Sequence, residues 1–123
     1  MAKLLLIDDE SSYAHKVKVL LRMRGHEVSL SLEACESVAL FREGDGSYDA
    51  VILDVNMPGM SGLKVLEELR AIQPTLPVIL SSGEDFDTMN PPLPQLTDVL
   101  LLRKPFAVET LFNTLEAVLR LPV

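Results

Sequence analysis

Four apolar runs in this chain each end in a group able to do chemistry. KLLLI is followed by Asp8 and Asp9, AVIL by Asp54, PVIL by Ser81 and Ser82, and DVLLLR by Lys104. An apolar run of this length closed by a polar residue reads as a buried parallel strand whose carboxyl end opens at a polar site. In open α/β sheets that edge is where ligands bind. Asp54, inside the stretch YDAVILDVNMPGMSG, is the first candidate, and the other groups are weighed against it.

With the first and third strands side by side, two or three of the carboxylates of Asp8, Asp9 and Asp54 converge. Like charges so close repel unless a proton or a cation intervenes. A set of carboxylates completed by a backbone carbonyl and water suits octahedral Mg2+ or Mn2+, and the sequence offers no thiolate or imidazole cluster for zinc. Lys104 brings the opposite charge and Ser82 a short hydroxyl donor. These are parts for handling a phosphoryl group. A carboxylate can attack phosphorus, and cation, ammonium and hydroxyl can neutralise the oxygens as it does so. Each group also has a duller reading, because acids after strands serve as turn residues and serines cap turns. Delivery by four strands to one edge favours the chemical reading.

The elements that must position these groups follow from periodicity. Strands are expected over Lys3–Ile7, Glu27–Leu32, Ala50–Asp54, Pro77–Gly83 and Asp98–Arg103. Helices are expected over Ser11–Arg24, Ala34–Glu43, Gly62–Ile72 and Val108–Leu121, each with apolar residues at helical spacing. The alternating EVSLSL predicts a strand with one face less buried, at an edge of the sheet. Strands alternating with helices need right-handed crossovers. The expected fold is therefore α/β, a doubly wound five-stranded parallel sheet of flavodoxin-like order 2-1-3-4-5.

Composition narrows the function. A chain of 123 residues, 48% of them hydrophobic, is expected to form a single domain over residues 1–123 with a substantial core. A net charge of −7 with no basic cluster argues against direct binding to nucleic acid. The short N-terminal apolar run meets acids at once, unlike a signal peptide, and no run is long enough for membrane insertion, so a cytoplasmic protein is expected. Cys35 is the one cysteine, and its neighbours Leu32, Ala34 and Val38 suggest a packing residue.

The motifs together resemble the receiver domain of bacterial two-component response regulators, over essentially the whole chain. LLLIDDE carries the family's acidic pair, LDVNMPGMSG its D-x-x-M-P-x-x-x-G signature from Asp54 to Gly62, SSG its hydroxyl residue at Ser82, and RKPF its lysine and proline. The resemblance implies that Asp54 accepts a phosphoryl group from a histidine kinase or a histidine phosphotransfer protein. It also implies that Asp9, Asp54 and the backbone carbonyl of Asn56 bind Mg2+ directly, with Asp8 acting through water. Lys104 would pair with the phosphoryl oxygens, Ser82 would move toward them, and Pro105 would follow a cis peptide bond. Such a domain catalyses its own phosphorylation and slow dephosphorylation, and its product is an altered binding surface.

Two features depart from the family pattern. Leu101 stands where an aromatic usually precedes the lysine by three residues. Between the fourth and fifth strands, Pro91, Pro92 and Pro94 are incompatible with an ordinary helix interior, so an irregular or shortened fourth helix is expected there. Asn56 and Glu84 flank the expected line of water attack and are candidates for setting the phosphoryl lifetime. Other classes fit less well. A Mg2+-dependent aspartyl phosphatase usually has a second acid where Asn56 stands, and a flavin carrier would not place DDESS at the flavin phosphate. A phosphorylation-independent interaction domain of the same fold stays open at this stage.

Overall fold

The computed structural model describes residues 2–43, 48–57, 61–83 and 99–120. Strands β1 (Lys3–Ile7), β3 (Ala50–Asp54) and β4 (Val78–Ser82) carry the continuous apolar runs, and every residue of β3 and β4 is buried. β2 (Glu27–Ser31) and β5 (Val99–Arg103) are less buried, and they are the two edges of a sheet ordered β2-β1-β3-β4-β5. All four pairings are parallel. The alternation in EVSLSL thus marks an edge strand, as its pattern predicts.

Strand periodicity sorts the core into two layers. Leu5, Ile7, Val51, Leu53 and Leu80 pack against α2 (Ala34–Glu43) and α3 (Gly62–Ile72). Leu4, Leu6, Ile52, Ile79 and Leu102 pack on the opposite face against α1 (Ser11–Met23) and α4 (Val108–Leu119). Each fully buried leucine contributes about 2 kcal/mol of transfer free energy, so both faces are held by many small terms. The fold is the expected doubly wound, flavodoxin-like one.

Two local features set the approach of α3 to the sheet. Ser61 caps its first turn by accepting from the Lys64 N–H at 3.3 Å. At Gly62, a Cβ would fall 2.5 Å from Val55 Cα and 2.7 Å from the Asp54 carbonyl oxygen, so no side chain fits there. The glycine is required by close backbone contact.

One sequence reading is corrected. Cys35 is exposed, because Ala34, Ser37, Val38 and Phe41 form the buried stripe of α2 and leave residue 35 outside it. The expected irregular helix with Pro91, Pro92 and Pro94, together with Glu84, Pro58 and Gly59, lies outside the described residues. Among the described residues, no helix is long and apolar enough to cross a membrane.

Candidate functional site

The pairing of β1 with β3 places Ile7 opposite Leu53, so the residues that follow each meet at one edge. Asp8 and Asp54 share the strand parity of Leu4, Leu6 and Ile52 and therefore point toward the α1 and α4 layer. Both are buried, and Asp9 is more open to solvent. One carboxylate oxygen from each of Asp8, Asp9 and Asp54 lies within 4.8 Å of the other two.

Lys104 enters this cluster from the end of β5, where its N–H donates to the Ser82 carbonyl at 2.8 Å. Its Nζ is 2.8 Å from Asp8 Oδ2, 3.6 Å from Asp54 Oδ2 and 3.8 Å from Glu10 Oε1. The Lys104–Pro105 peptide is cis, as the resemblance implies. The Glu10 N–H donates to Asp8 Oδ1 at 2.9 Å, so both Asp8 oxygens are engaged within the protein. On the other side, the Asn56 N–H donates to Asp54 Oδ1 at 3.1 Å, and the Asn56 side-chain amide donates to Ser82 Oγ at 3.0 Å.

The electrostatics follow from crowding acids around one ammonium. Burial pushes the Asp54 carboxyl up to about 6; the Asn56 hydrogen bond and Lys104 oppose the rise, while Asp8 and Asp9 add to it. For Lys104, burial alone would lower the pKa. The hydrogen bond and charge of Asp8, with help from Asp54 and Glu10, outweigh it and raise the pKa. The donor set is all oxygen and carries excess negative charge, which fits a hard divalent cation.

Residues 4–116 match the family described as the response regulator receiver domain. The chain belongs to that family. Relatives of this receiver domain include the probable transcriptional regulatory protein TcrX of Mycobacterium tuberculosis, 35% identical over 118 residues that make up 94% of this chain and 49% of that protein. The sensor kinase CckA of Brucella abortus is 32% identical over 96% of this chain and 12% of its own length. A response regulator receiver domain protein from Clostridium thermocellum superposes with a TM-score of 0.87 at 34% identity, covering 97% of this chain and 94% of that one. The receiver thus spans about half the length of the curated regulator TcrX.

Of the residues selected from the sequence, the structure brings Asp8, Asp9, Asp54, Asn56, Ser82 and Lys104 together. Ser81 is separate. Among the described residues its buried Oγ has no hydrogen-bond partner, whereas Ser82 accepts from Asn56. Leu101 lies on edge strand β5 and is exposed.

Sequence reasoning missed Tyr13. Its ring centroid is 4.7 Å from Lys104 Nζ and 5.7 Å from the Phe106 ring, which meets it edge-on at 70°. Burial, then Asp8, Glu10 and Asp54, push the Tyr13 hydroxyl pKa up to about 12, so it is neutral. The available signal was an aromatic in the first turn of the helix that starts two residues after Asp9. Tyr13, Glu10, Asp54, Asn56, Gly83, Lys104 and Pro105 line an open cavity of about 510 Å³.

Proposed function

We propose that this chain is a phosphoryl-accepting switch in which the Asp54 carboxylate is the nucleophile. The observation that carries the reading is a buried carboxylate at the sheet edge with a lysine ammonium 3.6 Å from one oxygen and a backbone N–H 3.1 Å from the other. The N–H engages Asp54 Oδ1, and Oδ2 is the oxygen nearer the Lys104 ammonium. In the transfer, Oδ2 forms a bond to phosphorus as the bond from phosphorus to the donor's imidazole nitrogen breaks, and the imidazole keeps the electron pair and takes up a proton. Lys104 lies within reach of the oxygens that gain charge, which is where a fixed cation is most effective. The donor would be the phosphohistidine of a histidine kinase or a histidine phosphotransfer protein.

Asp9, Asp54 and the Asn56 carbonyl would hold Mg2+, with Asp8, which also accepts from Lys104 and the Glu10 N–H, contributing through water. When bound, Mg2+ supplies positive charge against the phosphoryl oxygens. After transfer, a group of charge near −2 stands where a carboxylate stood, and Lys104 and Ser82 must rearrange to meet it. Their rearrangement alters the surface offered to a protein partner or attached domain.

The test is intact mass after incubation with acetyl phosphate and Mg2+. The native chain should gain one phosphate, about 80 Da, and the Asp54→Asn variant none. Stoichiometric labelling of the variant would overturn the assignment of the nucleophile.

A further inference from the structure

We propose that Tyr13 is a positioning residue for Lys104, its ring holding the ammonium at the phosphoryl end of the cavity. The inference rests on the phosphoacceptor reading of Asp54. A lysine head group on a flexible stem needs several contacts to stay in one place, and here they come from different sides. Asp8 and Asp54 hold the ammonium at 2.8 and 3.6 Å, and the Tyr13 ring stands 4.7 Å away. The charge attraction to Asp54 changes once that carboxylate carries a phosphoryl group. The ring is not itself modified in the transfer, so its attraction for the ammonium is retained, alongside that of Asp8, as Lys104 adjusts to the phosphoryl group.

The ring is itself fixed. Phe106 packs edge-on against it, two residues beyond Lys104, so lysine and aromatic pair belong to one loop–helix junction. The Tyr13 hydroxyl is buried and makes no hydrogen bond among the described residues. It therefore contributes no tether of its own, and the quadrupole of the ring face is what meets the cation.

The test compares the native chain with three replacements of Tyr13, reading the phosphorylation rate from acetyl phosphate and the ring-current shift of the Lys104 ε-methylene protons. Tyr13→Phe keeps the ring and should keep both the rate and the shift. Tyr13→Leu should lose the shift and phosphorylate roughly five-fold more slowly, in line with one cation–π contact. Pentafluorophenylalanine at position 13 keeps the shape and reverses the quadrupole, so a slowed rate there excludes a purely packing role and stands even if Tyr13→Leu does not fold. Native rates in the leucine or fluorinated protein, or an equal loss in Tyr13→Phe, would overturn the positioning role. Absence of any labelling in the native chain would instead overturn the phosphoacceptor reading, while the ring-current shift still reports on the contact.

Discussion

The side-chain amide of Asn56 donates to Ser82 Oγ at 3.0 Å, joining the loop after β3 to the end of β4. This bond ties down the hydroxyl that, in the proposed function, reaches a phosphoryl oxygen. Removing it takes away one restraint on Ser82 at no cost in buried charge. Asn56→Ala should therefore shift the resting protein toward the phosphorylated conformation by about 0.5–1.5 kcal/mol, the net worth of one such bond. Amide chemical shifts of β4 and β5, placed between those of the native resting and phosphorylated states, measure the shift. The effect should vanish in a Ser82→Ala background. An Asn56→Ala spectrum identical to the native resting one at those amides would contradict it.

Asp54 is costly to the fold when ionised. Its folded pKa of about 6 lies above the ordinary 3.8, so the unfolded chain releases this proton more readily than the native one. The cost is absent below pH 4, grows as pH rises to about 6, and is constant above that. Asp54→Asn removes it and should stabilise the metal-free protein at pH 7 by about 1–3 kcal/mol, with little effect of the lost charge near pH 4. Urea unfolding in a chelator at both pH values checks this, and equal gains at the two would refute the electrostatic origin. Carbon-13 observation of the Asp54 carboxyl should show a midpoint near 6 without metal, drawn downward when Mg2+ is added.

Lys104 lies among the acids proposed to hold a divalent cation, and would compete with it for them. Its ammonium sits 2.8 Å from Asp8 and 3.6 Å from Asp54, inside the cluster whose oxygens lie within 4.8 Å of one another. Lys104→Ala should consequently bind Mg2+ roughly five-fold more tightly, about what loss of one partly screened like charge gives, while phosphorylating far more slowly. Calorimetry and the mass assay separate the two effects. Weaker Mg2+ binding in this variant would mean that Lys104 organises the acids and does not compete with the metal.

The sheet order and the main site were legible because both reside in patterns that survive folding. Unalternating runs such as AVILD specify a strand covered on both faces, and parallel crossovers then bring their carboxyl ends to one edge. Asp8, Asp9, Asp54, Ser82 and Lys104 could be placed from strand ends alone. Contacts made across the layers were not legible. Tyr13 lies 91 positions from Lys104 in the chain, and the sequence gives no register between α1 and the loop after β5. Cys35 failed for a related reason, since a single position's direction depends on the helix phase, which Ser37 and Phe41 fix here and Leu32 does not.

Gly62 links the packing of α3 to the geometry of Asp54. A methyl group there would stand 2.5 Å from Val55 Cα and 2.7 Å from the Asp54 carbonyl oxygen, and both obstacles are backbone. Neither can rotate away, so α3 or the end of β3 must shift. The Gly62 N–H also donates to the Val55 carbonyl at 3.0 Å, and a shift would strain that bond as well. Gly62→Ala should destabilise the fold by about 1–3 kcal/mol despite alanine's better helix propensity, because overpacking against fixed backbone outweighs it. It should also slow phosphorylation, since the Asn56 N–H that holds Asp54 Oδ1 directly follows Val55, against which Gly62 packs. Denaturant melts and the mass assay would measure the two effects together. A variant as stable as the native protein would show that the helix can withdraw from the strand without loss, and the close approach would then not be a requirement of the fold.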